Sequence, residues 1–412
     1  MQNTLSNSNY SRRGFLGGSI GLSLYRPLLA ATAEEPAPPP PPLAPTRKIK
    51  TGFVGLGGRG SWLAGHFKNH GGYDFWAAAD YFPQVVEKAG NSLGVDKSRQ
   101  FSGLSGYKKV IESGVEAIVL EVIPYFFPEM AMAAAEAGIH VYMAKPVAVD
   151  VPGCLKVEAA GTLATTKNRV FLIDYQAPTD PMNIEVVKRI HEGALGDVVQ
   201  VITCGNGEGF SDPPLGTLES RMQGLVWVND AALGCDYLGN YDIHAIDMAL
   251  WVLGERPISA HGYSRVARAN PHGDSRDVIG LTYQYASGAM HIHTGEALPN
   301  GNAWDLSCRV NGTQANAMVN YLGKSFLRGG RKAFAGGDTG NLYSDGAKRN
   351  VTTFYDSIIA GKFENSTIRR SIDGCLACIL GIEAAARRKL LTMDDLLKEN
   401  KRLEVDVSSL II

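Results

Sequence analysis

The chain has few cysteines for its length, with six among 412 residues. This number is too small for a disulfide scaffold in a protein of this size. Cys375 and Cys378 form a C-x-x-C pair in a stretch with a helical pattern. Core packing explains two thiols on one helix face better than a metal or redox site does. Because no second C-x-x-C accompanies them, we predict no zinc site and no bound metal.

Charge of one sign is also missing, since 40 lysines and arginines nearly balance 41 aspartates and glutamates. No basic block is present that could follow a phosphate backbone, so we expect no nucleic-acid partner. The hydrophobic content of 45% is that of an ordinary globular protein. The length predicts two or three domains, each with a hydrophobic core of its own.

The N-terminal segment differs from the rest of the chain. Arg12 and Arg13 precede a short Gly-rich apolar run, and Ala31-Thr32-Ala33 after it suits a signal peptidase. The run is too short for a stable membrane anchor. Residues 1–33 therefore resemble a twin-arginine signal peptide, which predicts contact with the twin-arginine export machinery and a periplasmic location. The alternative is a tail with chance arginines, and Arg26 within the run favours it.

The body of the chain divides into two patterns after a proline-rich linker at residues 34–46. Residues 47–174 alternate short apolar strands with helices, which predicts a doubly wound parallel sheet with helices on both faces, an α/β domain. Residues 175–412 begin with helices and continue with strands separated by turn signals. This second pattern predicts an α+β domain with an open, mainly antiparallel sheet.

The stretch GFVGLGGRGSW carries a glycine motif directly after a predicted strand and at the start of a predicted helix. Gly55 suits the tight turn, Gly57 the close approach of a pyrophosphate, and Gly60 the packing of helix on strand. Gly58 and Arg59 lie in the same turn. We therefore predict that residues 47–174 form a Rossmann domain that binds a dinucleotide here.

Asp80 ends the second predicted strand, twenty residues beyond Gly60. A carboxylate at this point accepts both ribose hydroxyls of adenosine and repels a 2′-phosphate. The cofactor is therefore predicted to be NAD, while Arg59 leaves NADP open. Pro124 ends another strand at the same sheet edge and is also assigned to the cofactor site. The aromatic residues 125–127 after it either stack near the nicotinamide or cap the core.

The stretch HVYMAKP is an apolar strand that runs into Lys145 and then into Pro146, which cannot continue a ladder. A lone lysine at such a point is usually a surface residue. Here it follows a parallel strand, at the same edge as the glycine turn, where its ammonium can bond a substrate hydroxyl or the cofactor. Beside an oxidised nicotinamide its pKa should fall, which suits a proton acceptor or relay. Tyr175 and Gln176, just past the last parallel strand, are predicted to line the substrate cleft.

The helix of the stretch NYDIHAIDMALWVLG presents His244 beside an apolar stripe, with Asp247 one turn further on. A histidine at the start of a helix suits a general acid or base. The alternative is a core histidine whose ring is satisfied by Asp247 or by the backbone. His291 and His293 share one face of a later strand without a third ligand nearby, and we predict that they belong to the surface of the sheet.

Together these stretches resemble the Gfo/Idh/MocA oxidoreductases, the family of glucose–fructose oxidoreductase and inositol dehydrogenase. The resemblance covers about residues 48–395, with GFVGLGGRG, AAAD, HVYMAKP and IHAIDMALWVLG in the expected order. It implies that Lys145 and His244 are the catalytic pair. It further implies that the open sheet covers the substrate, and that the chain forms a homodimer or homotetramer.

Two positions depart from the family pattern that this resemblance implies. Ala144 stands where the family usually has glutamate, and Asn240 stands four residues before His244, where an acid is usual. We therefore expect the proton relay to be weakened, or to run through Asp236 or Asp242 instead. Asn240 and Asp242 are assigned to the substrate side of the site.

The leading interpretation is an NAD(P)-dependent oxidoreductase that transfers hydride between nicotinamide and a carbinol carbon of a sugar, polyol or glycoside. Because the periplasm has no ready pool of nicotinamide cofactor, we expect the cofactor to be tightly bound. One alternative is an NAD-dependent glycosidase that oxidises its substrate transiently and eliminates the aglycone. A second is a non-catalytic carbohydrate-binding or scaffold protein of the same fold, which Ala144 and Asn240 favour.

Overall fold

The computed structural model describes residues 44–213, 216–269 and 271–412. The predicted signal peptide and nearly all of the predicted linker lie outside the described residues. The first sheet contains the strands β1 (Ile49–Val54), β2 (Tyr73–Asp80), β3 (Gln100–Ser102), β4 (Ala117–Leu120), β5 (His140–Met143) and β6 (Phe171–Ile173). All neighbours pair in parallel, in the order β3-β2-β1-β4-β5-β6. This is the Rossmann strand order, with its switch point between β1 and β4.

Five helices connect these strands: α1 (Gly58–His70), α2 (Pro83–Leu93), α3 (Gly106–Glu112), α4 (Phe127–Glu136) and α5 (Val151–Thr166). The strands β4, β5 and β6 are buried at every residue, because helices cover both faces of the sheet. At α5, the side chain of Asp150 caps the N-terminus by accepting from the Gly153 N–H at 2.8 Å. The predicted parallel sheet is thus confirmed.

The second sheet contains β7 (Val198–Gly207), β8 (Ser259–Arg265), β9 (Val278–Gln284), β10 (Met290–Ala297), β11 (Asp305–Gly312), β12 (Ala315–Asn320), β13 (Lys324–Gly329), β14 (Phe334–Asp338) and β15 (Leu391–Thr392). Its order is β14-β13-β12-β11-β7-β10-β9-β8-β15. Neighbours are antiparallel except β7 and β10, which run parallel. The prediction of a mainly antiparallel sheet is confirmed.

The helices of this part are α6 (Pro181–His191), α7 (Leu218–Arg221), α8 (Ala231–Gly234), α9 (Ile243–Leu253), α10 (Leu342–Ala360), α11 (Ser366–Arg387) and α12 (Met393–Glu399). A single π-helical turn, Leu238–Asp242, leads into α9. Such turns are frequent at functional sites. None of the described helices is both long and apolar enough to cross a membrane.

The last part of the chain returns to the first sheet. The Tyr73 hydroxyl donates to the Val351 carbonyl of α10 at 2.7 Å, and α11 packs against α5 and β6. The largest hydrophobic cluster contains residues of both sheets, among them Ile118 and Leu281. The two sheets therefore share a core, which fixes the carboxyl edge of the first sheet against the π-helical turn and α9.

Candidate active site

The glycine turn between β1 and α1 has the geometry that a dinucleotide requires. Gly55 has φ +85°, which favours glycine, and a side chain there would overlap the Glu121 carbonyl. A Cβ on Gly60 would overlap the Gly55 carbonyl oxygen. By contrast, a Cβ on Gly57 would meet nothing within 4 Å. The open space at Gly57, before the free N–H groups of α1, suits a pyrophosphate.

A cleft of about 320 Å³ extends from this turn along the carboxyl edge of the first sheet. Asp80 lies in it, and its carboxylate accepts from the Leu56 N–H at 2.7 Å and the Phe82 N–H at 3.0 Å. Burial raises the pKa of Asp80, and these two hydrogen bonds oppose the rise. Met222 and Trp227, from the segment after α7, also line the cleft.

The turn after β4 contributes aromatic residues in different ways. Phe126 and Ile123 line the cleft, rather than Pro124, which is buried and begins a 3-10 turn. Phe127 lies in the hydrophobic core. Tyr125 accepts from the Val405 N–H at 3.3 Å, so it fastens the C-terminal residues to the edge of the cleft.

Arg59 turns away from the ribose end of the cleft. Its guanidinium lies 2.6 Å from Asp174 and 3.2 Å from Glu121, and it donates to the Tyr343 hydroxyl at 2.9 Å. Although burial disfavours its charged form, Glu121 and Asp174 hold the pKa of Arg59 above its ordinary value. Asp80 ends β2, whereas Asp174 follows β6 on the other side of β1. Arg59, the residue that left NADP binding possible, is therefore paired with Glu121 and Asp174 and is not available for a 2′-phosphate.

Glu121 is a site residue that the sequence reasoning missed. Its side chain is almost fully buried and lines the cleft. One carboxylate oxygen has no hydrogen-bond partner among the described residues. Burial raises the pKa of Glu121 to about 7, against the opposing charge of Arg59. A charged residue inside the apolar run AIVLEVI was the only signal for it.

Lys145 lies just past β5, at the same edge, and the Lys145–Pro146 peptide is cis. Its amine is partly buried and donates to the backbone carbonyl of Asn240 in the π-helical turn. Burial lowers the pKa of Lys145 to about 7, and the charge of Arg59 lowers it further, whereas Asp174 and Glu121 raise it. The alternative of an ordinary surface lysine is therefore wrong.

His244 lies in the first turn of α9, and its ring packs against Tyr175 and Tyr321 at centroid distances of 6.0 and 5.0 Å. Its Nδ1 has no partner among the described residues. Asp247 instead binds Arg370 at 2.7 Å, so the part of the alternative that bonds His244 to Asp247 is wrong. Burial and the positive charge of Lys145 lower the pKa of His244. The imidazole is thus neutral and within electrostatic reach of the amine.

Of the four predicted substrate-side residues, two contact Lys145 or His244 and two have other partners. Tyr175 contacts His244, and Asn240 holds Lys145 through its carbonyl. Gln176 is buried under α10 and accepts from the Tyr321 hydroxyl at 3.0 Å, with its amide nitrogen unpartnered among the described residues. Asp242 is buried and bonds His293.

The two acids predicted as alternative members of the proton relay each have another partner. Asp236 pairs with Arg276 at 2.8 Å and accepts from backbone N–H groups. Asp242 bonds His293 at 3.0 Å, and the charge of Lys145 opposes the rise that burial causes in the pKa of Asp242.

The prediction that His291 and His293 lie on the surface of the sheet is wrong. Both are 0% exposed, because they point to the face of β10 that the π-helical turn and α9 cover. The alternation of β10 was visible in the sequence, but which face is covered depends on elements distant in the chain. Among the described residues, no cluster of His, Cys, Asp and Glu side chains is suited to a metal ion.

Comparison with known proteins agrees with this architecture. Residues 49–175 match the family model described as an oxidoreductase family with an NAD-binding Rossmann fold, and residues 184–318 match the GFO/IDH/MocA C-terminal domain. Successive domains of one family thus cover most of both sheets. The chain belongs to the Gfo/Idh/MocA family of oxidoreductases.

Individual relatives are distant. The chain is 24% identical over 272 residues to levoglucosan dehydrogenase of Pseudarthrobacter phenanthrenivorans, covering 60% of this chain and 67% of that protein. It is 24% identical over 200 residues to a glycosyl hydrolase family 109 protein of Shewanella pealeana, covering 47% and 43%. An inositol dehydrogenase homologue from Azotobacter vinelandii, solved with NAD+, has a TM-score of 0.69 at 19% identity over 84% of this chain and 98% of that one. At 19% identity, the similarity to this structure shows a shared fold.

Proposed function

We propose that this protein is an NAD-dependent dehydrogenase that oxidises or reduces a carbinol carbon of a sugar or polyol. The observation that carries the proposal is the convergence of two groups from distant parts of the chain. Lys145, after β5, and His244, at the start of α9, are electrostatically coupled at the carboxyl edge of the cofactor sheet. The names of the relatives, levoglucosan dehydrogenase among them, support a sugar-like substrate.

The residues present fit a nicotinamide dinucleotide. The open space at Gly57 and the N-terminus of α1 would receive the pyrophosphate, and Asp80 would accept the adenosine ribose hydroxyls. When bound, the nicotinamide ring accepts or gives the hydride. NAD is favoured over NADP, because a 2′-phosphate would meet the Asp80 carboxylate and Arg59 is paired with Glu121 and Asp174.

The proton of the substrate hydroxyl is handled by Lys145. A neutral amine accepts this proton during oxidation, and the ammonium returns it during reduction. The pKa of about 7 makes both forms available near neutral pH. The Nδ1 of His244 has no partner in the part of the chain that the structure describes, which suits a hydrogen bond to a substrate oxygen.

Tight retention of the cofactor is part of the proposal. Leu410 packs in a cluster with Ile123 and Met222 at the cleft, and the Leu104 N–H donates to the Ile411 carbonyl at 2.9 Å. The C-terminal residues thereby brace the cofactor cleft from outside. A chain with the predicted export signal would then carry its NAD with it and recycle it within one turnover.

The direct test combines two measurements on purified full-length protein. Native mass spectrometry should show a bound dinucleotide of the mass of NAD. A panel of sugars and polyols should then change the absorbance at about 340 nm, where reduced nicotinamide absorbs. Protein that neither copurifies with NAD nor binds added NAD contradicts the proposal.

A glycosidase that uses NAD is the second candidate, favoured by the similarity to a glycosyl hydrolase family 109 protein. The same Lys145 and His244 would serve transient oxidation. Release of an aglycone from aryl glycosides without net change in NADH distinguishes this candidate from the dehydrogenase. Bound NAD whose absorbance responds to no sugar or glycoside supports the non-catalytic alternative, which the substitution at Ala144 still favours.

Location and assembly are also proposed. The twin arginines at residues 12 and 13 support export, and fractionation of cells that express the full chain tests it. Alternate residues of the second sheet are exposed on its outer face, including Tyr263 and Met290. These apolar side chains support a homodimer or homotetramer formed through that face, which light scattering after gel filtration tests.

A further inference from the structure

Glu121 follows β4 directly, and β4 pairs with β1 on one side and with β5 on the other. A Cβ on Gly55 would lie 2.3 Å from the Glu121 carbonyl oxygen, and a Cβ on Gly60 would lie 3.3 Å from the Glu121 Cβ. The glycine turn therefore packs directly on Glu121. Because Glu121 also lines the cofactor cleft, it lies between the turn that suits the pyrophosphate and the strand that leads to Lys145.

Glu121 also lies beside the alanine that departs from the family pattern. Leu120 and Met143 are register partners, and the Ala144 N–H donates to the Leu120 carbonyl at 3.1 Å. Glu121 and Ala144, the residue before Lys145, therefore end adjacent parallel strands side by side. The carboxylate that the family pattern leads one to expect at Ala144 is thus present on the neighbouring strand.

One oxygen of the Glu121 carboxylate is held in place by a cluster of polar side chains. Arg59 Nε lies 3.2 Å from Glu121 Oε2. The same guanidinium lies 2.6 Å from Asp174 and donates to the Tyr343 hydroxyl at 2.9 Å. The other oxygen of Asp174 accepts from the Asn350 amide at 2.7 Å. Since the Glu121 side chain is only 3% exposed and paired with Arg59, the protein fixes its orientation.

The second oxygen of this carboxylate, Oε1, has no hydrogen-bond partner among the described residues. A carboxylate oxygen can only accept, and a buried acceptor without a donor is destabilising, so this position requires a donor. The diphosphate of a dinucleotide has no donor to offer. The adenosine half is assigned to Asp80 at the end of β2, on the other side of β1. The donors that remain are the hydroxyl groups of the nicotinamide ribose and the carboxamide amine.

The ribose is the closer of these two in covalent terms. It is joined directly to the diphosphate, which the glycine turn above Glu121 is suited to receive, whereas the carboxamide lies at the far edge of the nicotinamide ring. The two carboxylates of the cleft, Asp80 and Glu121, follow the strands on either side of β1. Each is thus placed for one ribose of a dinucleotide that crosses the switch point.

Ionisable groups from several elements act on the Glu121 carboxyl group. Burial raises its pKa to about 7, and Asp174 after β6 adds to the rise, whereas the charges of Arg59 and Lys145 oppose it. Tyr142 of β5 is buried beside the same cluster. The ionised form, which accepts hydrogen bonds at both oxygens, therefore predominates at pH 8.

We propose that Glu121 binds the nicotinamide ribose of NAD through its free carboxylate oxygen, as Asp80 binds the adenosine ribose. Glu121 would thereby be a cofactor-binding residue that holds the reactive half of the dinucleotide beside Lys145. The inference deepens the proposed NAD-dependent function and rests on it for its biological meaning. Its test needs no sugar.

The test compares ligands that differ by one hydroxyl group. Isothermal titration calorimetry at pH 8, on full-length protein stripped of nucleotide with charcoal, measures NAD and two analogues. One analogue lacks the 2′-hydroxyl of the nicotinamide ribose, and the other lacks the 3′-hydroxyl. All three ligands carry the same charge, so the ratio of their affinities reports the hydroxyl groups even where a substitution changes the charge of the site.

In the wild type, removal of the hydroxyl that bonds Glu121 should weaken binding about tenfold, the size expected for a hydrogen bond to a charged group. In Glu121→Ala, neither analogue should bind more than about twofold more weakly than NAD, because the acceptor is gone. Arg59 keeps Asp174 as a partner in this variant. Glu121→Gln preserves the shape of the side chain and should reduce the ratio to about threefold, since a neutral amide forms the weaker hydrogen bond.

The matched control uses the other ribose. An analogue without the 2′-hydroxyl of the adenosine ribose should bind about tenfold more weakly than NAD in the wild type and in Glu121→Ala alike. In Asp80→Asn this ratio should fall to about threefold, while the ratio for the nicotinamide ribose stays at about tenfold. Circular dichroism confirms that each variant compared is folded.

Equal binding of NAD and both nicotinamide-ribose analogues by the wild type overturns the inference, as does a ratio that persists in both Glu121 variants. If Glu121→Ala instead abolishes discrimination against the 3-acetylpyridine analogue of NAD, which lacks the carboxamide amine, the ribose assignment is wrong. Ratios that depend on Glu121 in a protein that turns over no sugar leave the inference standing and contradict the dehydrogenase. Turnover of a sugar with ratios that ignore Glu121 contradicts the inference alone.

Discussion

The two sides of the site hold polar groups by different means. At the cofactor edge, glycines at residues 55, 57 and 60 leave space and expose backbone N–H groups, and one carboxylate, Asp80, completes the site. At the junction with the second sheet, charged side chains are buried together around Lys145. The cofactor side therefore depends on a short local stretch, whereas the catalytic side depends on residues brought together by the whole fold.

The largest effect expected from breaking this contrast is that of Lys145→Met. Loss of the proton-handling amine should reduce turnover about 10³-fold, in the range of a general acid or base. NAD affinity, measured by fluorescence titration of NADH, should change less than about threefold, since the glycine turn is untouched. Lys156→Met is the matched control, because Lys156 of α5 forms a partly exposed ion pair with Glu129 of α4. Wild-type turnover in Lys145→Met would remove the amine from the mechanism.

The next effect concerns the choice of cofactor. The wild type should favour NAD over NADP by about 100-fold, because a phosphate beside the half-buried Asp80 carboxylate is a like-charge contact. Asp80→Asn retains an acceptor for the Leu56 N–H and removes the charge, so the preference should fall to about tenfold or less. Steady-state kinetics with both cofactors measure the ratio. Asp96→Asn, at an exposed turn, is the control, and an unchanged ratio in Asp80→Asn contradicts the assignment.

Two glycines of the same turn should respond in opposite ways to one methyl group. Gly57→Ala meets open space, so the free energy of unfolding should stay within about 0.5 kcal/mol of the wild type. Its NAD affinity should fall at least about tenfold, or about 1.4 kcal/mol, because the methyl group occupies the pyrophosphate approach. Gly60→Ala overlaps the Gly55 carbonyl and should lower the free energy of unfolding by about 1–3 kcal/mol.

Urea denaturation and NADH titration of both glycine variants provide the measurements. If Gly57→Ala binds NAD as well as the wild type does, the pyrophosphate lies elsewhere. If Gly60→Ala is as stable as the wild type, the turn is less closely packed than the distances indicate.

This contrast also explains which features of the fold and the site could be predicted from the sequence. The glycine motif, Asp80 and the strand–helix alternation are local signals, and the prediction of a parallel Rossmann sheet followed from them. Lys145 and His244 were found through motifs near the ends of their own elements. Each of these features needs only a short stretch of chain to be visible.

The buried charges were less accessible to prediction. Arg59 reaches Asp174 across 115 positions of sequence, and Glu121 joins them only because β4 lies between β1 and β5. His293 was misassigned because the face of β10 that is buried depends on the π-helical turn, not on the strand itself. Asp236 and Asp242 were both left open as relay acids, and their partners, Arg276 and His293, come from parts of the chain that no local pattern connects to them.

The smallest expected effect is the pH dependence of the wild type. Lys145 has its pKa lowered from the ordinary value to about 7, so the neutral amine that oxidation requires predominates above this pH. The kcat/KM for oxidation should therefore rise about tenfold from pH 6 to pH 8 and then level off, whereas that for reduction should fall over the same range. Initial rates in buffers of constant ionic strength measure both directions.

Glu121 is the rival for this titration, because burial raises its pKa to about 7 as well. Its negative charge raises the pKa of Lys145, so Glu121→Gln should move the oxidation profile to lower pH while keeping its shape. A profile that becomes flat in Glu121→Gln would instead assign the titration to the carboxyl group, and Lys145 would then act as a permanently charged hydrogen-bond donor. The direction of this one shift decides which buried group at the junction carries the proton.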